Sequence, residues 1–128
     1  MKHLDINDLS YLVRNAIFTV FKELGPGLME SVYEAALMCE LEELDLECQS
    51  QVELPVYYKD KKLELGFRID ILVEKRIIIE VKSVEQLTKV HKKQLINYLK
   101  LTELKLGFLV NFNVDFLESK ESLVRIIN

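Results

Sequence analysis

A change of hydrophobic period limits this chain to few folds. Up to Leu44 apolar residues recur at three- and four-residue spacings, from Gln51 to Lys82 they alternate, and beyond Thr88 the helical spacing returns. An apolar residue every 3.6 positions lines one face of a helix, and one every second position lines one face of a strand. Helices packed on a sheet are therefore expected, an α/β layer arrangement. The first helix is predicted from Asp8 to about Leu24, with Leu9, Leu12, Val13, Ala16, Ile17, Val20, Phe21 and Leu24 facing the core. Gly25-Pro26-Gly27 breaks it. A second helix runs from Glu30 to Leu44, with Val32, Ala36, Leu37 and Leu41 as its buried stripe. Gln51–Tyr58 reads as a strand, at an edge because of Pro55. Asp60-Lys61-Lys62 reads as a turn, and Leu63–Val73 and Ile77–Lys82 as two more strands. Thr88–Leu101 is a third helix with Thr88 as its N-cap. Leu106–Phe112 has the length and apolarity of an interior strand, and Val124–Ile127 adds a short last one.

The pair of strands around Lys75 carries charge on a single face. Phe67, Ile69, Ile71 and Val73 alternate with Arg68, Asp70 and Leu72; Ile77, Ile79 and Val81 alternate with Ile78, Glu80 and Lys82. Bringing the two apolar faces together sets Val73 opposite Ile77 across an odd-length loop, which sets Asp70 opposite Glu80. Cβ atoms of directly opposed residues lie roughly 4.5–5.5 Å apart. Two carboxylates this close repel unless a cation lies between them or one is protonated. Oxygen-only ligation of that kind suits Mg²⁺ or Mn²⁺. Lys82, two residues on, can orient a water and stabilise charge on a phosphodiester. Glu80-Val81-Lys82 by itself reads better as an ordinary polar alternation on a sheet.

At 128 residues the chain is expected to form one domain, residues 1–128, around one core. No apolar run reaches the roughly 18–20 residues of a membrane span, and the first residues lack a signal peptide's apolar stretch, so a cytoplasmic protein is expected. Cys39 and Cys48 are too few for a disulfide framework and have no zinc-site spacing; Cys39 is expected to be packed and Cys48 exposed. The net charge of −4 speaks against a nucleic-acid partner, but its distribution does not. Residues 1–74 hold 7 Lys and Arg against 15 Asp and Glu, whereas residues 75–105 hold 8 against 3. A positive segment can follow a phosphate backbone locally. Within it, His91, Gln94 and Tyr98 form one helical stripe beside Lys89, Lys92, Lys93 and Lys100. On spacing alone that stripe is an ordinary polar face with a half-buried tyrosine.

Several blocks in combination give a sharper reading. They are Gly27-Leu28-Met29-Glu30-Ser31-Val32-Tyr33, Gly66-Phe67-Arg68-Ile69-Asp70, Ile79-Glu80-Val81-Lys82, His91-x-x-Gln94-x-x-x-Tyr98 and Gly107-Phe108-Leu109-Val110-Asn111-Phe112. In these the chain resembles the GxxExxY protein family, a branch of the PD-(D/E)XK nuclease superfamily, over about residues 8–128. The resemblance implies a restriction-endonuclease-like αβββαβ core, a mixed sheet flanked by helices, with an extra N-terminal helix. It implies a divalent metal, Mg²⁺ or Mn²⁺, held by Asp70, Glu80 and the helical Glu30, with Glu34 a weaker candidate. Lys82 completes the catalytic set, and Gln94, Tyr98, His91, Lys92 and Lys93 are expected to touch nucleic acid, DNA rather than RNA. No proline precedes Asp70 where the superfamily's name has one. For His91 a phosphate contact or a helix-capping role is preferred to metal ligation, and Arg68 is expected to pair with Asp70. So small a chain grips a duplex poorly, which makes a homodimer or a partner protein the expected complement. The rival readings are a non-catalytic nucleic-acid-binding or assembly module, and a structural protein whose charged cluster is an internal ion network.

Overall fold

A computed structural model describes residues 3–64 and 66–128 of the chain. Helix α1 spans Ile6–Leu24 and buries Leu9, Val13, Ala16, Ile17 and Val20. Leu12 and Phe21 are partly buried at the margin of that face, and Leu24 is exposed. Helix α2, Glu30–Glu43, buries Tyr33, Leu37 and Leu41. Its buried stripe is displaced from the expected one: Val32 is exposed, and Tyr33 takes its place because the helix is turned to bring its i, i+4, i+8 row onto the sheet.

The strands are β1 (Cys48–Leu54), β2 (Tyr57–Tyr58), β3 (Lys61–Lys62), β4 (Phe67–Val73), β5 (Ile77–Lys82), β6 (Leu106–Asn111) and β7 (Leu123–Ile127), with α3 (Lys89–Thr102) between β5 and β6. The segment read as one strand, Gln51–Tyr58, is two: β1 stops before Pro55, whose ring nitrogen cannot donate to a ladder. The residues read as a turn, Lys61 and Lys62, pair with Tyr58 and Tyr57 in a small hairpin. Of the strand predicted over 63–73, the part from Phe67 forms, and Leu65 lies outside the described residues.

Five strands make one mixed sheet in the order β1-β4-β5-β6-β7. β5 and β6 are parallel and the other neighbours antiparallel. Parallel neighbours need a crossover, and α3 supplies it. Helices α1 and α2 cover one face, with Ile71, Val73, Ile77, Ile79, Val81, Phe108 and Val110 beneath them. The other face buries Ile78 and Leu109 against Leu95, Tyr98 and Leu99 of α3. β6 is covered on both faces, so all six of its residues are buried, and its one polar residue, Asn111, is satisfied by side-chain hydrogen bonds with the Val84 backbone. Among the described residues no helix is long and apolar enough to cross a membrane.

The cysteines exchange their expected environments. Cys39 is exposed on α2, and Cys48 is half-buried, with burial and then the carboxylates of Glu42, Glu74 and Glu47 pushing its thiol up to about 11.

Gly107 is where α3 meets β6 most closely. A Cβ at this position would stand 2.8 Å from Leu95 Cδ1 and 3.2 Å from its Cδ2. Leu95 is fully buried, so its methyls have little room to retreat. Gly107→Ala is expected to cost about 1–3 kcal/mol, the usual range for an overpacked core, read as a lower urea midpoint at unchanged m-value.

Candidate active site

β4 and β5 pair as the apolar faces require, with Val73 opposite Ile77 and Ile71 opposite Ile79. They are joined by Glu74-Lys75-Arg76, in which Glu74 and Lys75 take positive φ (51° and 53°) and Arg76 N–H donates to Val73 O at 2.9 Å. Beyond Ile71 the ladder stops. Where Asp70 and Glu80 would pair through their backbones, side chains take over. Asp70 N–H donates to Glu80 Oε2 at 2.9 Å, and Val81 N–H donates to Asp70 Oδ2 at 2.8 Å. The ladder between β1 and β4 is broken at the same level, opposite Gln51, which holds φ at 51°. β4 also changes face here: Ile71 and Val73 belong to the α1/α2 core but Ile69 to the α3 core, although alternate residues of a regular strand share a face. Asp70 therefore sits at a twist in the strand, in a gap of the sheet to which helices on both faces contribute.

Three carboxyl groups crowd this gap. Glu80 is 2% exposed, and burial pushes its carboxyl up to about 8, with Asp70's charge adding to the effect. Asp70 is raised by burial, against the pull of Val81 N–H and Lys82. Glu34 is raised by burial and by the charges of Asp70 and Glu30, while Gln51 lowers it. The Gln51 amide lies between two of them, donating to Glu34 Oε1 at 2.7 Å and approaching Asp70 Oδ1 at 3.4 Å. Lys82, at the end of β5, is the cation that favours the ionised form of all three.

The loop before α2 explains how its carboxylates reach the gap. Gly27 has φ 96°, a conformation L side chains rarely adopt, and Glu30 opens the helix. Tyr33 is fully buried; its hydroxyl donates to Gly25 O at 2.5 Å and accepts from Leu28 N–H at 3.2 Å. Its ring stacks on Phe112, just past β6, with centroids 4.3 Å apart and planes 6° apart. Glycine, glutamate and tyrosine at three-residue intervals thus turn the chain, start the helix and fasten it to the sheet. Glu30 itself is exposed, in a cleft of ≈480 Å³ shared with Met29, Ser31, Ser83 and Asn113. It acts on Asp70 and Glu34 through its charge. Tyr33→Phe keeps the stack but strands Gly25 O and Leu28 N–H, and is expected to cost about 1–3 kcal/mol, measured by urea unfolding.

On the α3 side, Tyr98 is buried over the gap, its ring 5.5 Å from that of Phe67. Burial, then the charges of Glu80 and Asp70, push its hydroxyl up to about 12. Gln94 and His91 are partly buried along the same stripe, Lys92 is partly buried, and Lys93 is exposed. His91 closes the start of the helix. Thr88 N–H donates to its Nδ1 at 3.0 Å while His91 N–H donates to Thr88 Oγ1 at 3.4 Å, a reciprocal N-cap. An accepting Nδ1 leaves the ring proton of a neutral imidazole on Nε2. Arg68 does not pair with Asp70; it lies 3.3 Å from Glu53 in an exposed ion pair, of a kind that contributes little.

An all-carboxylate donor set, each of whose three members burial drives toward protonation, is chemically suited to a hard divalent cation. In this structure the carboxylates turn toward backbone N–H groups and Gln51. Among the described residues no three His, Cys, Asp or Glu side chains close on a common point. Gln51 was not foreseen from the sequence; its place depends on a positive φ and on partners 17 and 19 residues away.

The sequence model for the PD-(D/E)XK nuclease superfamily matches residues 7–126. No curated protein and no solved structure matches the chain.

Proposed function

Because the chain belongs to the PD-(D/E)XK nuclease superfamily, we propose that it is a divalent-metal-dependent nuclease of the GxxExxY branch, acting on DNA in preference to RNA. One observation carries the reading. Asp70 and Glu80 face each other in a gap in the sheet, with Lys82 acting on both. Asp70 and Glu80, with Glu30 or Glu34 from α2, would hold Mg²⁺ or Mn²⁺. The cation, when bound, supplies Lewis acidity and charge neutralisation at the phosphodiester. Lys82 orients the attacking water and stabilises charge that develops on the phosphate oxygens. Tyr98, with its hydroxyl at about 12, stays a neutral donor to a phosphate at physiological pH. Gln94 and the Nε2–H of His91 extend that row of donors, and Lys92 and Lys93 neutralise backbone charge beside it. We read the chain as one cytoplasmic domain that enlarges its grip on DNA as a homodimer or with a partner protein.

The second reading is a non-catalytic nucleic-acid-binding module. It is favoured by the way Asp70 and Glu80 are already satisfied by backbone N–H groups. Cleavage of labelled single- and double-stranded DNA in Mg²⁺, Mn²⁺ or EDTA separates the two. The nuclease reading expects products with metal, none in EDTA, and none from Asp70→Asn. DNA binding without turnover in any metal would establish the module.

A further inference from the structure

We propose that the β2–β3 hairpin, Tyr57–Lys62, with the cleft behind it, binds unpaired nucleotides and leads a single strand to the active site. This rests on the nuclease reading and names the substrate form that reading leaves open.

The hairpin stands apart from the five-stranded sheet and has no part in its core. Tyr57 and Tyr58 are 63% and 65% exposed and, as neighbours in a strand, present one ring on each face of the hairpin. Each tyrosine is directly opposite a lysine: Tyr57 pairs with Lys62, and Tyr58 with Lys61. Lys59 adds a third ammonium, 5.6 Å from the centroid of the Tyr58 ring. The first 74 residues are otherwise acidic, with 7 Lys and Arg against 15 Asp and Glu, yet three of those seven cations are Lys59, Lys61 and Lys62. On each face a flat ring beside an ammonium group matches an unpaired base and its phosphate, and stacking of this kind accepts any base. A duplex, whose bases are already stacked, has no free base face to offer.

The position of the hairpin links it to the chemistry. Behind it lies a cleft of ≈630 Å³ lined by Pro55, Lys62, Phe67 and Arg68 and by the carboxylates of Glu53, which Arg68 engages, and Glu64. Phe67 forms one wall of the cleft and is also the neighbour of Tyr98. From Phe67 to Asp70 is three residues of extended strand, roughly 10 Å. Phe67 thus joins the cleft to Tyr98 and, along β4, to Asp70.

The test uses the full chain carrying Asp70→Asn, in EDTA, so that nothing is cut. Fluorescence anisotropy is read with a labelled thymidine oligonucleotide and with a blunt duplex. Adding Tyr57→Ala and Tyr58→Ala is expected to weaken single-strand binding about tenfold per ring, within the usual range for base stacking, and to leave duplex binding within about twofold. Adding Lys61→Gln and Lys62→Gln instead should flatten the salt dependence of single-strand binding. Circular dichroism confirms the fold of each variant. If the Asp70→Asn parent binds single strand but the tyrosine variant binds equally tightly, or loses duplex binding in equal measure, the hairpin proposal falls and the nuclease reading stands. If the parent binds neither DNA at low salt, the hairpin proposal falls, and the nuclease reading is decided separately by cleavage in Mg²⁺ or Mn²⁺.

Discussion

In EDTA, Asp70→Asn is expected to melt no lower than the unsubstituted protein, and in Mn²⁺ the order is expected to reverse. Asn keeps a carbonyl oxygen where Asp70 Oδ2 accepts from Val81 N–H, so the side chain's part in the sheet survives. What it removes is a charge that burial already disfavours and that pushes Glu80 upward. Sites kept for function often cost stability, and neutralising one member can relieve the rest. A cation that binds the native state adds RT ln(1 + [L]/Kd), about 2.7 kcal/mol at a hundredfold excess over Kd, and the substituted protein forgoes most of it. If the carboxylates were only an internal ion network, breaking it would cost roughly 3–5 kcal/mol with or without metal. Melting curves in EDTA and in Mn²⁺ decide: a large drop in EDTA, with no gain for the unsubstituted protein in Mn²⁺, would leave the cluster as scaffolding.

The second large effect is a loss of metal-free stability as pH rises. Glu80 ionises near 4.5 in the unfolded chain and at about 8 in the fold. Between those values the folded state keeps a proton that the unfolded state has released, so each pH unit upward favours unfolding by about 1.4 kcal/mol. The stabilisation is complete below 4.5, declines through the interval and is gone above about 8. Asp70 and Glu34, also raised, act in the same direction. The sum is on the order of a few kcal/mol, opposite in sign to a salt-bridged carboxylate, which stabilises as pH rises. Urea midpoints in EDTA from pH 5.5 to 8 should therefore fall. Glu80→Gln retains an oxygen for Asp70 N–H and should flatten most of that slope. A midpoint that rises with pH would mean that Glu80 is ionised in the apo fold.

The parts of this picture that were legible in the sequence depend on neighbours and on periodicity. The register of β4 on β5 follows from two apolar faces that must meet, and the capping of α3 by Thr88 follows from residue type. The resemblance to the superfamily, shown over residues 7–126, carried the rest. What failed depended on rotation or on distance. The rotation of α2 is fixed by the Tyr33 hydroxyl bonding back to Gly25, so a polar-tipped ring displaced the more apolar Val32. The role of Gln51 depends on its φ and on contacts with Glu34 and Asp70, neither visible in a local pattern. The face change at Asp70 is likewise hidden, since a strand's alternation is assumed when the sequence is read.

The bonds from Asp70 N–H to Glu80 and from Val81 N–H to Asp70 also bear on how this lineage can change over time. On the nuclease reading, the two residues that would hold the metal are at the same time rungs of the sheet, so selection on folding acts at these positions even when selection on activity has lapsed. Replacement by alanine would leave a sheet amide without an acceptor, at about 1–3 kcal/mol each, a large share of the margin of a small protein. The accessible route to inactivity is the isosteric one, aspartate to asparagine and glutamate to glutamine. Descendants that have given up the reaction are therefore expected to carry amides at these two positions, and to look from their sequences almost as if they still performed it.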